Sequence, residues 1–171
     1  MSDSPARESG ARIPARTWVR ATALGWLLGI PCIVLLALAG ETVGIGGKQG
    51  LVGLGMGLAV GLMQGRAIRP ILGAALPWML ATGAGFALPF LLSDLAAYRE
   101  WPLEYSLPWC VAIGGGIAGL LQALLLRQRR RGVTPWGAAS LLGWSLAGAM
   151  AHVADSLVGN ASARGAAGAL L

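Results

Sequence analysis

The chain has 171 residues, of which 56% are hydrophobic and only 12% charged, and its 27 glycines and mean hydropathy of +0.67 put it outside the range of soluble domains. The formal net charge of +6 would suit a nucleic-acid partner, but the arginines abut apolar stretches, which is the distribution of a membrane topology signal. Two cysteines, Cys32 and Cys110, both inside apolar stretches, exclude a disulfide framework and any CxxC metal or redox motif.

Residues 1–17 form an Arg-rich tail, expected to be cytoplasmic, and residues 18–171 a single transmembrane helical domain. Five stretches reach the roughly 20 apolar residues that a membrane-spanning helix needs: about 18–40, 46–65, 71–92, 107–126 and 136–158. None shows the ten-residue dyad alternation of a barrel strand, so the predicted fold is all-α integral membrane. The first stretch ends in Ala37-Leu38-Ala39, which mimics a signal-peptidase site, but it is as long as a full span and its pattern recurs later, so it is read as a retained helix. Pro31 and Pro89 are expected to kink the first and third helices. The connection 93–109 carries Tyr98, Trp101, Tyr105 and Trp109, and is expected to anchor at the membrane interface.

Odd-numbered stretches share the phrase W-x-x-A-S/T-x-x-G-W/F. It comprises Trp18, Ala21, Thr22, Gly25 and Trp26; Trp78, Ala81, Thr82, Gly85 and Phe86; and Trp136, Ala139, Ser140, Gly143 and Trp144. Even-numbered stretches share G-x-x-x-G-L-x-Q-x-x-x-x-R, through Gly57, Gly61, Gln64 and Arg69, then Gly115, Gly119, Gln122 and Arg127. The period is 58 residues between the two glutamines, so the unit is a helical hairpin repeated in tandem. A third unit is incomplete, and residues 163–171 are expected to form a short partial sixth segment, either a truncated helix or a re-entrant or interfacial stub.

Ten arginines, among them Arg16, Arg20, Arg66, Arg69 and Arg127, fall on one side of this topology, against three basic and five acidic residues on the other. The positive-inside rule predicts a multi-pass protein with a cytoplasmic N-terminus; the expected location is a bacterial inner (cytoplasmic) membrane.

In lipid the hydrophobic effect does not draw helices together, so small residues and polar contacts must. Gly25, Gly57, Gly61, Gly85, Gly115, Gly119 and Gly143 are the predicted packing positions, and Trp18, Trp78 and Trp136 the predicted interface anchors. Gln64 and Gln122 lie at a depth similar to Thr82 and Ser140. The expected bonds are Gln64 to Thr82 and Gln122 to Ser140, or to the equivalent group of another unit. The lone His152, with Asp155 and Ser156 one turn on, lacks the ligands of a zinc site and the geometry of a hydrolase triad. No catalytic, metal or cofactor-binding residue is predicted, and the sequence points to no particular cofactor.

The paired motifs resemble the two-helix repeat of uncharacterised bacterial integral-membrane proteins over about residues 18–158, with Phe86 replacing the second Trp and Gly65 or Ala123 following Gln where an aromatic is expected. That resemblance implies a fold and no activity. The expected role is a non-enzymatic structural or accessory subunit, set in the lipid bilayer, that packs through its glycine faces against a membrane-protein partner or a second copy, without nucleic acid. The alternative is a small transporter or channel for a neutral or weakly polar solute, using the glutamines and kinked helices.

Overall fold

A computed structural model describes residues 13–101, 106–128 and 134–168. Five helices follow in order: α1 (Ala15–Thr42), α2 (Gln49–Leu72), α3 (Leu76–Tyr98), α4 (Ser106–Arg127) and α5 (Thr134–Gly168). The described residues contain no strand. Four helices, α1 to α4, are long and apolar enough to cross a membrane.

Helix limits differ from the apolar stretches because hydropathy reads the thickness of the hydrocarbon layer, whereas backbone hydrogen bonding continues into polar sequence. Thus α2 runs to Leu72 and carries Arg66 and Arg69 in its last turns, where cations meet the negative end of the helix dipole. It ends where Gly73 takes φ +80°, with the Gly73 N–H donating to Arg69 O at 2.7 Å. Helix α3 therefore starts at Leu76 rather than near 71, with Pro77 in its first turn. Both α1 and α3 continue through their internal prolines, Pro31 and Pro89. The expected break between 158 and 163 is absent: α5 is one helix of 35 residues reaching Gly168, so the proposed partial sixth segment belongs to α5 as far as residue 168, and 169–171 lie outside the described residues. The Arg-rich tail up to residue 12, together with Tyr105, is likewise outside them.

Backbones pack in chain order, α1 on α2, α2 on α3, α3 on α4 and α4 on α5. Each pair is antiparallel. A Cβ built on Gly57 would meet Gly83 Cα and Phe86 Cβ, both at 2.9 Å, and one on Gly61 would meet Met79 Cα at 2.9 Å and Thr82 Cβ at 2.8 Å, so the partner number falls as the glycine number rises. Alternation makes α1, α3 and α5 mutually parallel, with α2 and α4 filling the angles between them.

Two buried layers result. One gathers Met56, Val60, Phe86, Phe90, Cys110, Val111 and Ala118; the other gathers Ile68, Leu72, Trp78 and Leu126. The outward surface of α1 is Leu27, Ile30, Val34, Leu35 and Leu38, all exposed, as a lipid-facing side would be.

Candidate functional site

Repeat geometry concentrates the polar side chains at one level. Because the three Trp helices are parallel, residues at equal positions in them converge, and Trp18, Trp78 and Trp136 form a three-membered cluster. Their ring centroids lie 5.7 Å (Trp18 to Trp78), 5.1 Å (Trp18 to Trp136) and 5.6 Å (Trp78 to Trp136) apart, in edge-to-face arrangements. Trp78 is fully buried and the other two are half-buried. The three predicted anchors therefore meet one another, with Trp78 enclosed in the bundle and Trp18 and Trp136 at its edge. Two turns deeper the second aromatic of each phrase repeats the arrangement in part. Trp144 stacks edge-on to Phe86 at 4.7 Å and lies 6.0 Å from Trp26.

Gln64 and Gln122 thread this level. Gln64 donates from Nε2 to Thr22 Oγ1 at 3.0 Å and accepts at Oε1 from the Trp78 indole N–H at 3.3 Å. One repeat later Gln122 donates to Thr82 Oγ1 at 2.9 Å and accepts from the Trp136 N–H at 3.2 Å. Each glutamine thus ties the Trp helix before its own to the Trp helix after it. The expected pairings with Thr82 and Ser140 of the following helix are shifted by one unit, because the indole N–H occupies the side of the amide that faces forward. Ser140 instead donates to Gly115 O at a long 3.4 Å, and Thr82 passes its own proton to Trp78 O at 2.8 Å. In both units the Trp follows its Gln by 14 residues, and that invariant spacing is the signal in the sequence for these bonds.

The glycine positions take up the close approaches. A Cβ on Gly25 would lie 2.6 Å from Val60 Cα, and one on Gly85 would lie 2.5 Å from Ala118 N. Gly115 faces Trp144, and Gly119 faces Ser140. Six of the seven predicted packing glycines therefore serve contacts within the chain, not with a partner. The exception is Gly143, exposed and with nothing within 4 Å of its Cβ direction.

Gly143 opens on a groove between α1 and α5, helices whose backbones do not pack on each other as chain neighbours do. The space measures about 450 Å³. Its α5 wall is Ala139, Ser140, Gly143 and Ala147 between the rings of Trp136 and Trp144; its α1 wall is Trp18, Thr22 and Trp26; both glutamines line it as well. A second cavity of about 320 Å³ lies between the N-terminal half of α4 and the middle of α5, beside Pro108, Trp109 and His152.

Asp94, near the C-terminus of α3, has a structural task. Its carboxylate accepts from the backbone N–H of Gln49 at 2.9 Å and of Gly50 at 2.7 Å, closing the N-terminus of α2, where Lys48 supplies no side-chain cap. Among the described residues no three His, Cys, Asp or Glu side chains gather as a metal-binding group. Comparison with family models, with curated proteins and with solved structures finds no significant match for this chain.

Proposed function

We propose that this protein is a non-enzymatic, multi-pass subunit of a bacterial inner membrane, with its N-terminus in the cytoplasm, whose task is to hold partner helices in a complex. Five helices cross in this reading, with α5 as the fifth span. The observation that carries it is the use made of the mid-bundle polar groups. Gln64, Gln122 and Thr82 are all at most 5% exposed and all engaged between helices, and no buried side-chain nitrogen or oxygen among the described residues lacks a hydrogen-bond partner. Polar groups that serve a transported solute stand ready to exchange partners, whereas these fix the register of helices.

One observation favours the second reading, a small transporter for a neutral solute: the groove of about 450 Å³ has the volume of a small-molecule site and reaches both glutamines. The two readings separate on purification in mild detergent from native membranes. The accessory role predicts a partner in fixed stoichiometry, identified by mass spectrometry. A solitary protein that conducts solute into liposomes would overturn it.

A further inference from the structure

The groove can be compared with two places in the same molecule where the equivalent space is filled. Between α1 and α3 lies α2; between α3 and α5 lies α4; between α5 and α1 lies the groove. In the first filled place Gly25 meets the backbone of Val60, four residues before Gln64. In the second Gly85 meets the backbone of Ala118, four residues before Gln122. Gly143, their repeat equivalent, meets nothing. The hydroxyls match as well: Thr22 and Thr82 each accept a glutamine amide, whereas Ser140 receives none. The indoles of Trp78 and Trp136 each donate to a glutamine 14 residues earlier, whereas the same offset from Trp18 falls on Ser4. Three independent features of the repeat, a glycine, a hydroxyl and an indole, are complete twice and open together once, on one groove.

We infer that the groove between α1 and α5 is the docking site for a transmembrane helix of the α2 and α4 type, contributed by a partner chain and running antiparallel to α1, α3 and α5. That helix carries a glutamine that donates to Ser140 and accepts from Trp18. Four residues before the glutamine it places a residue no larger than Val against Gly143, as Val60 and Ala118 are placed against Gly25 and Gly85. Seven and three residues before the glutamine it places glycines against Trp26 and Thr22, as Gly57 is placed against Phe86 and Gly61 against Thr82. Among the described residues none supplies this helix, since α5, which walls the groove, continues as one helix of 35 residues. Nor does a lipid chain or a Leu-rich span account for the site. Neither brings an amide to the open hydroxyl and indole, and a Leu-rich surface cannot approach Gly143 as closely as Val60 Cα would approach a Cβ on Gly25, 2.6 Å.

This inference rests on the accessory-subunit reading and deepens it, and cysteine trapping tests it. Ala147 is the repeat equivalent of Gly29, whose Cβ would stand 3.6 Å from Met56 Cα, a separation suited to a disulfide. Full-length protein with Cys32→Ser, Cys110→Ser and Ala147→Cys is reconstituted in phosphatidylethanolamine and phosphatidylglycerol vesicles with a synthetic helix of the sequence 49–72 carrying Met56→Cys. Oxidation is expected to join the two. Gln64→Ala in the peptide is expected to lower the yield about threefold or more, and Gly61→Leu about tenfold. Gly143→Leu in the protein, which fills open space and leaves the bundle intact, is expected to abolish trapping. Equal trapping of a poly-leucine helix, or trapping indifferent to Gly143→Leu, would overturn the site. So would a protein that joins only to its own second copy through Ala147→Cys, because the groove would then be closed by a homodimer. A partner that copurifies while this groove stays unreactive overturns the docking site alone; a solitary, conducting protein overturns the accessory reading itself.

Discussion

The angle holding α4 and the angle left open between α5 and α1 are built from the same phrase, and the difference between them shows what the phrase is for. Where α4 is present, Gly85 lies against its backbone, Thr82 accepts from Gln122, and Trp136 donates to the same amide. On the groove side of α5, Gly143 is exposed and Ser140 makes only a long bond to Gly115 of the preceding helix, α4. Small residue, hydroxyl and indole are thus complementary to a neighbouring Gly helix and have little value without one.

The largest effect should come from the glycines. Gly85→Leu must push α3 and α4 apart, since even a Cβ would sit 2.5 Å from Ala118 N, and a loss of about 3 kcal/mol is expected. The same change at Gly143 meets open space and should stay within about 0.5 kcal/mol. Reversible unfolding in mixed micelles, with rising SDS, measures both. Equal losses at the two positions would show that the comparison between filled and open angles is mistaken.

A smaller contrast is expected at the hydroxyls. Thr82→Val keeps the side-chain shape but leaves the Gln122 amide buried without its acceptor, a loss of about 1 to 2 kcal/mol. Ser140→Ala removes one bond of 3.4 Å and is expected to cost under about 0.5 kcal/mol in the same titration. If the two losses are alike, Ser140 already has a partner as good as the one Thr82 has.

Much of this architecture is legible in the sequence because its period is strict. The tandem hairpin follows from two matched phrases, and the depth of Gln64 and Gln122 follows from their distance to Arg69 and Arg127. Partner choice is not legible in the same way. Depth alone offers Thr22 and Thr82 equally to Gln64, and only the packing of three parallel Trp helices decides, by bringing the Trp78 N–H to the forward side of the amide. The burial of Trp78 is hidden for a related reason. A tryptophan beside arginines at a helix end looks like an interface anchor until the neighbouring helices are placed and its ring is found against two others. Helix ends were misplaced wherever polar sequence continued the helix, as at Arg66 and Arg69 of α2 and beyond residue 158 in α5.

The smallest effect concerns helix starts, where the two hairpins differ. Asp94 from α3 holds the N–H groups of Gln49 and Gly50 at the start of α2. One period later the position of Asp94 is His152 and the position of Gly50 is Pro108, which has no N–H to hold. Of the two donors that Asp94 holds, only the Gln49 position keeps an N–H there, as Leu107, because a proline in the first turn of α4 removes the other. Asp94→Asn keeps acceptor capacity but loses the charge that favours the positive end of the helix, at an expected cost of about 0.5 to 1 kcal/mol. Hydrogen exchange should quicken at the amides of Gln49, Gly50 and Leu51 and remain unchanged across the start of α4. Faster exchange at both helix starts would mean that Asp94 supports the packing of that whole end of the bundle, and not the N-terminus of α2 alone.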